Sequence, residues 1–193
     1  MTVTQAPGAA LGRPARTTQQ TRRRAPIARY GLLATLLLAA AAHAQETSPP
    51  ATPLVPVLPE LKRQTPLPIL LPTHLPPLLG PAVYATAQGT PTSYTIRLES
   101  DPDCHQADVC FIGELKAQKG GTLSYPDPVQ IDKVIQGRYQ PAACGNTCSP
   151  PAIEWKMNGV LYTAQLTLRS RKPRDQRSEM LQVADSATRG GAR

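Results

Sequence analysis

Apolar and polar side chains alternate along several stretches of the chain. In "SYTIRLES" (93–100), Tyr94, Ile96 and Leu98 alternate with Thr95, Arg97 and Glu99. That is the period of a half-buried strand. "AVYATA" (82–87) is a shorter β-prone run, and "VCFIGELKAQ" (109–118) is a further strand ended by "KGG". Strands 93–100 and 109–118 form a hairpin around the polar turn "DPDCHQAD". "VQIDKVIQGRYQPA" (129–142) predicts a strand bent around Gly137. The sharpest local pattern is "AIEWKMNGVLYTAQLTL" (152–168). Asn158-Gly159 suits a two-residue type I′ turn, which needs positive φ at both positions. Trp155 and Met157 precede it, and Val160, Tyr162, Ala164, Leu166 and Leu168 follow in strict alternation. These faces are read as core rather than as a ligand platform.

The period changes near the C-terminus. Met180, Val183, Ala184 and Ala187 share one face at helical spacing, with Asp175 as candidate N-cap and Gly190-Gly191 as terminator. The expected fold is therefore α+β, with an antiparallel sheet of about five or six hairpin-linked strands and one C-terminal helix as second layer.

Proline changes the picture ahead of the sheet. Eleven of the 22 prolines fall between Gln45 and Pro81. Proline removes a donor and fixes φ, so neither helix nor central strand is expected there. Residues 45–65 are read as an extended, polyproline-like linker. "PLPILLPTHLPPLL" (66–79) is too apolar for a solvated spacer and is expected to pack on the domain that follows, with a recognition motif for a partner groove as the alternative. The domain is drawn as residues 66–190.

The N-terminal 44 residues carry a basic stretch, an apolar run "GLLATLLLAAAA" and the small-residue site Ala42-His43-Ala44. This is the pattern of a signal peptide over residues 1–44, which implies a periplasmic or secreted protein. The alternatives are an uncleaved anchor and a twin-arginine signal. "TRRRAPI" departs from the latter at Ala25 and Pro26. Export also reinterprets the charge. The chain is +8, with 21 basic and 13 acidic residues. Six of the basic residues and none of the acidic ones lie in 1–44, which leaves 15 against 13. Nucleic acid is not an expected partner.

Four cysteines in an exported domain imply two disulfides. Three pairings are possible. The favoured one joins Cys104 to Cys110 across the hairpin loop and Cys144 to Cys148 within "CGNTC". Facing residues of an antiparallel pair lie about 4.5–5.5 Å apart by Cα, inside the usual disulfide range. Zinc and redox chemistry are the alternatives, but C-x-x-C spacing is missing and only His74 and His105 remain in the mature chain.

Catalytic motifs are lacking: there is no G-x-S-x-G, no H-E-x-x-H and no phosphate-binding glycine loop. No enzyme activity and no cofactor are expected. Glu99, Asp101, Asp103 and Asp108 cluster in sequence as a possible calcium site or, more simply, a solvated turn. Arg169, Arg171, Lys172, Arg174 and Arg177 form a possible anion-binding stretch for an envelope polymer or lipid surface, or a charged solvated connection.

Several segments occur in a recognisable order: "LPTHLPPLLG", "YATAQG", "SYTIRL", "VQIDKVIQGRY", "IEWKMNGVLYTAQL" and "SEMLQVADSA". Together they resemble a small extracytoplasmic domain of unknown function found beside bacterial anti-sigma and lipoprotein-sorting-like proteins. The matching residues are Trp155, Gly159 and Tyr162, then Leu181, Ala184 and Ser186, and the resemblance spans about residues 66–188. It implies a sheet with a terminal helix and no assigned activity. The two cysteine pairs depart from that family's pattern, and no spanning segment follows the export signal.

The expected function is a non-catalytic accessory or binding module of the cell envelope, partnered by an envelope protein or an anionic polymer or lipid surface. The alternative is a structural or regulatory protein-interaction domain related to anti-sigma-type sensors.

Overall fold

The computed structural model describes residues 48–104, 107–145 and 147–193. The expected export signal and cleavage site lie outside them. Seven strands make one sheet: β1 (Tyr84–Thr90), β2 (Ser93–Glu99), β3 (Phe111–Lys119), β4 (Asp127–Gln130), β5 (Gln136–Gln140), β8 (Ala152–Met157) and β9 (Val160–Leu166). Their spatial order is β1-β2-β3-β9-β8-β5-β4, with every neighbouring pair antiparallel. Strands β6 (Ala143–Cys144) and β7 (Cys148–Ser149) form a separate two-stranded hairpin. Among the described residues two α-helices accompany the sheets, α1 (Leu58–Gln64) and α2 (Pro173–Gly190). No helix among the described residues is long and apolar enough to cross a membrane.

The alternation read from the sequence sets the two sides of the sheet. Ile96 faces Leu115, which faces Ala164, which faces Ile153. In the next row Tyr94, Ala117, Tyr162 and Trp155 are neighbours, and the Trp155 and Tyr162 rings stack at 5.6 Å. All eight of these side chains are buried. Helix α2 packs on β8 and β9 through Met180, Val183, Ala184 and Ala187, so the face predicted from helical spacing is the buried one. Burying a Leu, Ile or Val side chain contributes roughly 1.5–3 kcal/mol, so this shared core is the main stabilising term.

The proline-rich lead corrects the sequence reading. Residues 45–65 were expected to be an extended linker, yet a 3-10 turn spans Thr52–Leu54 and α1 follows. Leu54 and Leu61 are fully buried in the common core. Helix α1 fits between prolines because Pro59 occupies its first turn, where no N–H is needed, and Pro66 lies beyond its end. The apolar part of the lead packs as expected, with Leu67, Ile69, Leu70, Leu71 and Leu78 buried. It is also tied down by polar contacts. The Tyr162 hydroxyl donates to Pro68 O at 3.0 Å, while the Tyr94 hydroxyl donates to Leu70 O and accepts the Leu70 N–H at 3.2 Å.

Three smaller readings also change. The α+β class stands, but the sheet has seven strands rather than five or six. One reason is that 129–142 is two strands, not one bent at Gly137. The break falls at 131–135, where the Asp132 carboxylate accepts the N–H groups of Val134 and Ile135. Gly137 instead sits within β5, where a Cβ would lie 2.5 Å from Glu154 O. Asp175 does not cap α2. Lys172 is the N-cap residue with no side-chain cap, and Asp175 lies in the first turn.

The opposite side of the sheet is polar and carries a strap. After β3, Gly120 donates to Gly159 O, and Gly121 lies so close to Leu161 that a Cβ would meet it at 2.7 Å. The Ser124 and Tyr125 N–H groups then donate to Glu154, and Arg138 donates to Tyr125 O at 3.0 Å. The chain thus crosses β9, β8 and β5 to reach β4. Glu154 is only 2% exposed beneath it.

Candidate functional site

Register decides which loops share an end of the sheet. Glu99 pairs with Phe111, Gly113 with Leu166, Ala152 with Gln165, and Gln140 with Ala152. One end therefore collects the β2–β3 loop, the β5–β8 connection and the exit from β9 into α2. Tyr84 pairs with Glu99, so the entry to β1 lies there too. Adjacent strands are about 4.8 Å apart, so the β9 exit leaves between the two cysteine-bearing loops.

Both loops are closed by disulfides, paired as the spacing suggested. Cys104 bonds Cys110 with Cα atoms 6.2 Å apart, and Cys144 bonds Cys148 with Cα atoms 4.1 Å apart. The first loop is folded onto the sheet by Arg97. Its guanidinium pairs with Glu99 at 3.1 Å and Asp108 at 3.7 Å, and lies 5.0 Å from the Phe111 ring centre. The Ser100 N–H also donates to Cys110 O at 2.9 Å. The second loop behaves differently. From Pro141 to Ser149 every described residue is exposed, and none is charged.

The acidic residues of the first loop do not gather around a cation. Glu99 is buried against Arg97, and Asp101 accepts the Asp103 N–H at 2.8 Å, which closes a local turn. Among the described residues no group of three or more His, Cys, Asp or Glu side chains is placed to hold a metal ion. His105 lies outside the described residues.

The basic stretch divides. Arg171, Lys172 and Arg174 are exposed at the β9–α2 connection. Arg177 turns toward the far edge, donating to Pro128 O at 3.2 Å with its guanidinium 5.8 Å from the Tyr139 ring centre. Burial pushes the Tyr139 hydroxyl pKa up, Arg177 opposes this, and Asp127 adds to it. Arg169 goes the other way. Its N–H donates to Pro77 O at 2.9 Å, Leu79 donates to Thr167 O at 2.8 Å, and Leu78 and Leu168 form a β-bridge. The lead is thereby zipped to the β9 exit. Beside this zipper is an open cleft of 540 Å³, lined by His74, Arg169, Leu75, Pro77, Val83 and other residues of the lead.

Sequence reading did not bring His74 and Arg169 together, nor did it single out Arg97 or Glu154. Glu154 had one visible signal, an acid flanked by Ile153 and Trp155 in a strand rich in apolar residues. Such an acid points to the opposite face and needs donors there.

No protein-family model, no curated protein and no solved structure matches the chain.

Proposed function

We propose that the protein is a non-catalytic, extracytoplasmic binding module of the cell envelope, which engages an anionic lipid or polymer surface through the basic connection into α2. The observation that carries this reading is the placement of Arg171, Lys172 and Arg174, all exposed, at the sheet end that also bears both disulfide loops. Two disulfides fit an oxidising compartment. Stapled loops hold their shape without a ligand, which lowers the ordering cost of binding. Arg177 is left out of this surface because Pro128 and Tyr139 already engage it.

Co-sedimentation with vesicles tests the reading. Binding to phosphatidylglycerol vesicles is expected at low ionic strength, with loss as salt rises. Neutral phosphatidylcholine vesicles should not bind, and neither should the Arg171→Gln/Lys172→Gln/Arg174→Gln variant. Absence of binding at low salt defeats the reading.

A protein-interaction domain is the second reading, and the Cys144–Cys148 hairpin favours it. Its described residues are exposed and uncharged, and it is stapled although none of them joins the core. A stoichiometric protein partner, lost when Thr147 or Pro141 is changed, would put this reading first.

A further inference from the structure

We infer that the cleft between the proline-rich lead and the β9 exit is a binding site for a small anionic amphiphile, specifically an alkyl carboxylate. The inference is separate from the vesicle-binding surface and uses different side chains, apart from their common end of the sheet.

The cleft is built before any ligand arrives. Its two walls are joined by main-chain hydrogen bonds, Arg169 N–H to Pro77 O and Leu79 N–H to Thr167 O. Proline supplies much of the lead wall, so its backbone loses little freedom on binding. Gly80 lets the lead turn toward β1 with φ +147, a conformation that side chains rarely adopt, and a Cβ there would lie 3.0 Å from Ile112 Cδ1. The volume of 540 Å³ is within the roughly 300–1,000 Å³ typical of small-molecule sites.

The lining specifies the ligand's chemistry. Leu75, Pro77 and Val83 offer an apolar surface, while no aspartate or glutamate lines the cleft. Arg169 is exposed, and among the described residues its guanidinium has neither a carboxylate nor a carbonyl partner. A guanidinium recognises a carboxylate through two parallel N–H···O bonds. A single full cation balances a single negative charge, which favours a carboxylate over a dianionic phosphate monoester. His74 also lines the cleft and carries a ring N–H. The alkyl chain would lie along the proline and valine wall.

Calorimetric titration of the exported chain with sodium decanoate, kept below micelle formation and free of vesicles, is the test. Saturable one-to-one binding is expected, with no comparable signal from decanol or decyltrimethylammonium. Arg169→Gln should weaken decanoate by about tenfold or more, the scale of one charge-assisted contact. Arg169→Lys should recover part of it. Val83→Trp, which fills the cleft without removing charge, should abolish it. Equal affinity for decanol and decanoate would leave only an apolar patch and overturn the inference. Tighter binding of decyl phosphate, an unchanged Arg169→Gln, or no saturation would each do the same. The decanol comparison uses unmodified protein, so it decides even if a variant folds poorly. Loss of vesicle binding has no bearing on it, because vesicles are absent.

Discussion

The carboxylate of Glu154 accepts the backbone N–H of Tyr125, 29 residues earlier, at 2.7 Å, and also that of Ser124. The contact pins the strap against the polar side of the sheet, and the Ser124 hydroxyl adds a third bond at 3.3 Å. The buried negative charge also reaches the Tyr125 ring. Burial raises that hydroxyl's pKa first, with the charges of Glu154 and Glu114 reinforcing it.

Glu154→Ala should therefore destabilise the domain by about 2–3 kcal/mol, since it strands two N–H donors beneath the strap. Glu154→Gln keeps one acceptor oxygen and should cost less. Urea unfolding measures both, and amide exchange at Ser124 and Tyr125 should speed up in the alanine variant. Unchanged protection at those two amides would contradict the role assigned to Glu154.

Glycines separate close packing from open space. At Gly137 a Cβ would lie 2.5 Å from Glu154 O and 2.9 Å from Ile131 Cδ1, whereas at Gly145 it would meet nothing within 4 Å. Gly137→Ala should cost about 1–3 kcal/mol through overpacking against backbone, and Gly145→Ala should be close to neutral. Thermal unfolding of the two variants side by side checks the contrast.

Alkali should unfold the protein through its tyrosines. Burial pushes the Tyr162 hydroxyl up to about 12 from 10.0, and pushes Tyr94 higher still, with the charge of Tyr162 adding to the burial. A raised folded pKa means that the native state holds the proton more tightly. Stability from these groups is complete below pH 10.0 and falls as pH climbs toward about 12. Tyr162→Phe removes one titrating group and should move the alkaline transition upward, followed by far-ultraviolet circular dichroism. A transition that stays put would show that Tyr162 ionisation does not drive it.

The disulfides should differ in effect. By chain entropy each short loop contributes roughly 2 kcal/mol. Removing Cys104–Cys110 also frees the loop that engages Arg97 through Ala107 O and Asp108. Cys104→Ser/Cys110→Ser should therefore lower the unfolding midpoint more than Cys144→Ser/Cys148→Ser, whose hairpin is exposed throughout its described length. Equal losses would mean that the Arg97 contacts add nothing.

Local chemistry was the legible part of this chain. Asn158 and Gly159 take φ values of 51 and 77, the positive pair that their dipeptide demanded, and the flanking strands follow the alternation. Cysteines four and six residues apart had a near neighbour available, and each took it. What depends on distant partners was hidden. Pro59 looks like a helix breaker until it is placed in a first turn, and Leu61 shows its role only against the finished core. The cleft was hidden for the same reason. His74 and Arg169 come together only because residues 77–79 pair with residues 167–169.

The outer strands have a consequence for the molecule in crowded solution. A sheet grows when an incoming strand finds free donors and acceptors along an edge. At one border the Gln64 side-chain oxygen already accepts the Gly89 N–H at 2.6 Å, so α1 occupies part of the β1 edge. At the other, Pro128 has no N–H to offer, and Arg177 takes its carbonyl. Both margins are thus blunted at a named residue. Strand-by-strand polymerisation is therefore disfavoured at each border.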